Sequence, residues 1–104
     1  MARIIITPKA GADLQEIYAY LAAEAGVATA ARYRQRFDEL YRHLALYPES
    51  CPRRPKLNPT ARIGIVSPYV VLYAHPTADD TATIVRVVHG SRRITRKLLR
   101  EEKK

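Results

Sequence analysis

Only one cysteine, Cys51, stands among 104 residues, so the chain cannot form an internal disulfide. That agrees with a reducing, cytoplasmic compartment. No apolar run approaches the length needed to cross a bilayer. RIIIT near the start is too short for the apolar part of a signal peptide and soon meets Pro8 and Lys9. A soluble, intracellular protein is the expectation. Also missing are a Gly-rich phosphate loop, a GxSxG elbow and a paired-carboxylate motif. The histidines, His43, His75 and His89, lack metal-ligand spacing and one cysteine adds little, so neither metal nor cofactor is expected. Arg53 and Arg54 give Cys51 basic neighbours of the kind a reactive thiol wants, but passive packing is the ordinary reading.

What is present is the composition of a globular domain, 47% hydrophobic and 27% charged. The length fits a single domain, 1–104, able to bury a core without disulfide or metal. The net charge of +8 is uneven. From Ile84 onward there are eight Lys or Arg against two Glu; before it there are ten basic residues against eight acidic ones. Such a tail suits an anionic partner, whether nucleic acid, acidic protein or membrane surface, and a solvated helix end gives a similar count.

Ile4-Ile5-Ile6, ended by Pro8, reads as a short strand buried on both faces. From Ala10 the period changes: Leu14, Ile17, Tyr18 and Leu21 form one apolar helix face, with Asp13 and Glu16 in the early turns where negative charge suits the dipole. Gly26 breaks the pattern as a cap or turn. A second helix, from about Ala28 to Tyr47, stripes Ala30, Tyr33, Phe37, Leu40, Tyr41 and Leu44, and Pro48 stops it. Two helices joined so briefly should pair antiparallel and lie on a sheet. Pro48 to Pro59 is loop-like. Strands are expected at Arg62–Val66, Tyr69–His75 and Thr83–His89, close enough in sequence for antiparallel hairpins. Ser91 is a candidate N-cap for a last helix carrying Ile94, Leu98 and Leu99. The fold class is therefore α+β, ordered β-α-α-β-β-β: a helical hairpin on a mostly antiparallel sheet, then a basic C-terminal tail or short helix.

The stretch IVRVVHGSRR, Ile84 to Arg93, raises the functional question. Strict alternation puts Ile84, Arg86 and Val88 on one face, and Val85, Val87 and His89 on the other. Arg86 then interrupts an apolar face. Either it pairs with an acid such as Asp13 or Glu16 on the first helix, or it faces a binding groove. His89 with Arg86, Arg92 and Arg93 could hold a phosphate and move a proton, provided the groups converge. Arg92, Arg96 and Arg100 share one side of a helix; with Arg93 and Lys97 they read first as a solvated basic face. All seven tyrosines lie at or before position 73. Tyr18, Tyr33 and Tyr41 fit the core stripes, and Tyr69 and Tyr73 share a strand face suited to packing or base stacking.

Four segments in this order resemble the ParE branch of the ParE/RelE toxin superfamily. They are TPKAGADLQEIYAYL, FDELYRHLALYPESCPRRPKL, ARIGIVSPYVVLYAH and IVRVVHGSRR. The resemblance spans nearly the whole chain. It implies the β-α-α-β-β-β fold, the toxin half of a bacterial type II toxin–antitoxin pair of the plasmid-stabilisation kind, and a ParD-like antitoxin that wraps and neutralises it in a hetero-oligomer. ParE toxins act on DNA gyrase, trapping it on cleaved DNA, and need no catalysis of their own; no membrane is involved. By the same resemblance Arg62, Tyr69, Tyr73, Arg86, His89 and Arg93 match family positions. With Arg92, Arg96 and Lys97 they make the expected target- or antitoxin-binding set.

Two other functions stay open. RelE-like relatives cleave mRNA on the ribosome; here His89 would be the base and Arg62, Arg86 and Arg93 the phosphate clamps. The chain departs from that branch in having no tyrosine after Tyr73. A toxin fold kept only as a binding partner is the third reading, and harmless overexpression would be its mark. Direct nucleic-acid binding is compatible with the charge but not required, since no recognition helix is evident.

Overall fold

The computed structural model describes residues 1–76 and 80–91. In chain order the elements are β1 (Arg3–Ile6), α1 (Pro8–Ala25), α2 (Val27–Leu46), β2 (Ala61–Val66), β3 (Tyr69–Ala74) and β4 (Thr81–His89). They form a four-stranded sheet ordered β1-β4-β3-β2. Both hairpins are antiparallel and only β1 with β4 is parallel, so the helical hairpin lies on a mostly antiparallel sheet as expected. Among the described residues no helix is long and apolar enough to cross a membrane.

Thr7 shows how local chemistry starts the fold. Its hydroxyl accepts from the Ala10 amide at 3.1 Å, capping α1, and donates to the Val85 carbonyl at 3.1 Å. Pro8 follows at the first helical position, where a missing N–H costs nothing. One residue, Gly26, joins the two helices. Its φ of 96° is a conformation that side chains with a Cβ avoid, and it folds α2 directly back on α1.

The apolar stripes meet the sheet in one core. Leu14 and Leu21 from α1 and Phe37, Tyr41 and Leu44 from α2 pack on Tyr69, Val71, Tyr73, Ile84 and Val87. A smaller cluster of Ala61, Ile63, Val70, Leu72 and Val88, with Leu57 and Val85, occupies the opposite face.

Two expectations are overturned. β1 is not buried on both faces: Ile4 is half-buried, while Ile5 and Ile6 are 40% and 43% exposed. The reason is topological, because β1 is an edge strand with β4 on one side only. The alternation along β4 also fails. The ladder pairs Leu72 with Arg86 but Tyr73 with Ile84, leaving Val85 as an extra residue. A bulge of this kind resets which face each residue takes. Ile84 and Val87 thus share the helix-side core, whereas Val85 and Val88 join the opposite cluster.

The proline-rich segment after α2 is a loop, as expected, but one held in register. The Tyr73 hydroxyl donates to the Pro48 carbonyl at 2.9 Å. Arg62 donates to the carbonyls of Glu49 at 3.0 Å and Cys51 at 2.8 Å. His75, buried, places Nδ1 2.7 Å from the Thr81 carbonyl and Nε2 3.8 Å from Glu49. The helix expected after Ser91, with Ile94, Leu98 and Leu99, lies outside the described residues.

Candidate functional site

At one end of the sheet the β2–β3 turn, the end of β4 and the flank of α1 enclose a groove of about 600 Å³. Its floor is Tyr69 and Val87; its α1 wall is Glu16, Ile17, Tyr20 and Leu21; His89 stands at its mouth. Tyr69 and His89 are cross-strand partners, with ring centroids 5.8 Å apart at 84°. Tyr69 also meets Tyr33 edge-on at 5.9 Å and Phe37 at 6.0 Å, so α2 fixes the floor from behind.

Arg86 is the best-fixed polar side chain beside this groove. Only 4% exposed, it meets Asp13 through Nε at 2.7 Å and through a terminal nitrogen at 3.1 Å. The same Asp13 carboxylate accepts the Val87 amide at 3.0 Å. β1 pairs with β4 only as far as Ile84, so beyond that point Asp13 takes the place of a neighbouring strand. Of the two acids expected as partners for Arg86, Asp13 holds it. Glu16, one turn further along, is exposed on the groove rim.

His89 is exposed. The Ser91 amide donates to Nδ1 at 3.1 Å, and the Ser91 hydroxyl lies 2.8 Å from the same nitrogen. With Nδ1 an acceptor, the neutral ring carries its proton on Nε2. In that form Nε2 is a donor.

The other expected site residues sit elsewhere. Tyr73, fully buried, and Arg62 are ladder partners at the far end of β3 and β2, bound to the proline-rich loop. Tyr73 is four residues from Tyr69, roughly 13 Å along a strand. Arg92, Arg93, Arg96 and Lys97 lie outside the described residues. So Tyr69 and His89 come together, Arg86 lies beside them locked to Asp13, and Arg62 stands apart with Tyr73. The α1 wall was not anticipated. Tyr20 in this wall is an aromatic 61% exposed, three residues after Ile17 and off the apolar stripe, and no motif marks it. Among the described residues no cluster of three His, Cys, Asp or Glu side chains could hold a metal.

Burial pushes the phenols of Tyr18, Tyr41, Tyr69 and Tyr73 above their ordinary value of 10. The unfolded chain therefore releases these protons first as pH rises, binds fewer than the native state, and stability falls. Thermal melts are expected to be flat up to about pH 9 and to drop above about pH 10, in step with phenolate absorbance. A midpoint unchanged at about pH 11 would contradict this.

Two helices laid on a mixed sheet ordered β1-β4-β3-β2 make this a small α+β protein with a groove at one sheet end. The architecture is shared with a chain of the solved structure described as "Chromosomal ParDE TA system from P. aeruginosa". The match has a TM-score of 0.71 and 23% identity, covering 86% of this chain and 96% of that one. The model of the family described as "ParE toxin of type II toxin-antitoxin system, parDE" matches residues 4–94, and the chain belongs to that family. No curated protein matches it.

Proposed function

We propose that this ParE-family toxin acts in the cytoplasm by binding DNA gyrase and trapping it on cleaved DNA, and that a ParD-like antitoxin neutralises it. One observation carries the choice of binding over catalysis. Three of the four groups the ribonuclease reading needs are engaged in other ways, and the fourth, Arg93, lies outside the described residues. Nδ1 of His89 is engaged by the Ser91 amide, Arg86 is bound to Asp13, and Arg62 is tied to loop carbonyls at the other end of its hairpin. A general base must reach the proton it removes with a free lone pair. Binding asks less of this surface: an aromatic floor, an aliphatic wall and a few orienting polar groups. The name of the structural relative, a ParDE pair, supports an antitoxin as the second partner.

The test is a gyrase reaction with purified protein, negatively supercoiled plasmid and ATP, stopped with detergent and protease. Linear DNA that requires both gyrase and this protein is the expected product. If a folded preparation that is still toxic in cells gives no linear DNA, the gyrase reading is lost. Cleavage of a reporter mRNA that disappears in His89→Ala would then make the protein a RelE-like endonuclease.

A further inference from the structure

The loop between α2 and β2 carries charge that the groove does not use. From Ser50 to Ala78 the sequence has no Asp or Glu, yet contains Arg53, Arg54, Lys56 and Arg62. Arg53, Arg54 and Lys56 are exposed. The segment is also ordered. Pro52, Pro55 and Pro59 restrict its backbone. The Ile63 amide donates to the Pro52 carbonyl at 3.0 Å, and the Arg54 amide to the Ala61 carbonyl at 2.8 Å. Residues 52–54 thereby run along the outer edge of β2, joined to it by a single isolated bridge.

In that pairing Arg53 stands directly opposite Arg62. Like charges facing each other across an antiparallel pair oppose the pairing. Among the described residues both side chains donate to neutral carbonyls: Arg53 to Pro59 at 3.2 Å, and Arg62 to Glu49 and Cys51. Such contacts aim the guanidiniums without cancelling their charge. An anion shared between them would relieve the repulsion, and guanidinium forks suit phosphate oxygens. Arg53, Arg54 and Lys56 are exposed at successive points on this loop, which fits the successive phosphates of a polymer better than one enclosed ion.

We propose that this loop binds the phosphate backbone of double-stranded DNA through Arg53 and Arg54, with Arg62 as the positioning residue behind them. The inference goes beyond the gyrase reading, and it is tested without gyrase. Binding of the whole protein to a short fluorescent duplex is followed by anisotropy between about 50 and 200 mM salt. Arg53→Ala/Arg54→Ala is expected to weaken binding roughly tenfold at the low end and to make the log–log salt slope shallower by about 2. Arg32→Ala/Arg42→Ala removes the same charge from the exposed side of α2 and is expected to change affinity by less than about threefold. Equal losses in both pairs would reduce the effect to net charge and overturn the proposal, as would no loss in either. Displacement of the duplex by inorganic phosphate at constant ionic strength would reassign the loop to a free anion. Should the double variant fold poorly by circular dichroism, Arg54→Ala alone serves. It touches no side-chain hydrogen bond among the described residues, and the expected slope change is about 1. A variant that loses DNA binding yet still produces gyrase-dependent linear DNA would show that the two readings stand separately.

Discussion

Asp13→Ala is expected to lower the unfolding free energy by about 3–5 kcal/mol, the usual cost of removing one partner from a buried ion pair. Two separate losses contribute. The Arg86 guanidinium loses the carboxylate that faces it, and the Val87 amide loses its acceptor beyond the end of β1. Glu16→Ala, one turn away on the exposed rim, is expected to change stability by less than about 0.5 kcal/mol. Urea unfolding of both variants measures the contrast. Arg86→Ala distinguishes the readings of that residue. A large stability loss supports a packing role, whereas lost toxicity at an unchanged melting temperature would mean that Arg86 touches the target. A paired change to apolar residues, Asp13→Leu with Arg86→Met, is expected to recover part of the loss, since such replacements are often near neutral.

Phe37→Ala is expected to cost about 3–5 kcal/mol as well, by a different route. The ring is fully buried and contacts Tyr18, Tyr41 and Tyr69 at centroid distances of 6.0–6.5 Å. Removing it opens a void between the helical hairpin and β3, which the close-packed surroundings fill only in part. The groove floor feels this directly, because Tyr69 rests on Phe37. Loss of gyrase-dependent linear DNA is therefore expected to accompany the loss of stability. Phe37→Leu keeps much of the volume and is expected to do less on both counts. A loss below about 1 kcal/mol for the alanine variant would mean the core collapses around the site.

The fold was largely legible from residue periodicity. Leu14, Ile17, Tyr18 and Leu21 recur at helical spacing, and all four are buried or half-buried on the sheet. Gly26 and Pro48 mark the ends of their helices because each has a local mechanism for doing so. Faces within β4 were not legible. The extra residue at Val85 leaves no local signature, since a bulge is fixed by the partner strand and its hydrogen bonds. The exposure of Ile5 and Ile6 was hidden for a similar reason: an apolar strand reads the same at an edge and at a centre until the strand order is known.

The site was half legible. Arg86 stood out as a charge within an apolar run, and the choice between Asp13 and Glu16 waited on the turn of α1 that faces β4. The resemblance brought Tyr69 and His89 forward, and they proved to be ladder partners. Nothing in linear spacing separates Arg62 and Tyr73 from them, although they hold the loop at the other end of the hairpin. Glu16 and Tyr20 carry no motif, and their place in the groove follows only from how the helices dock.

The strand order bears on when the groove can first form. Of the described strands β4 is the last made, yet it lies inside the sheet, between β3 and the first strand, β1. The Asp13–Arg86 contact likewise closes a span of 73 residues. Contacts so distant in sequence form late. A nascent chain that has emerged only as far as Ala74 has its helical hairpin and the β2–β3 hairpin, but no strand to join β1 to the rest. The groove is equally incomplete, because Val87 and His89 have yet to appear. Assembly of the groove thus waits for β4 to leave the ribosome.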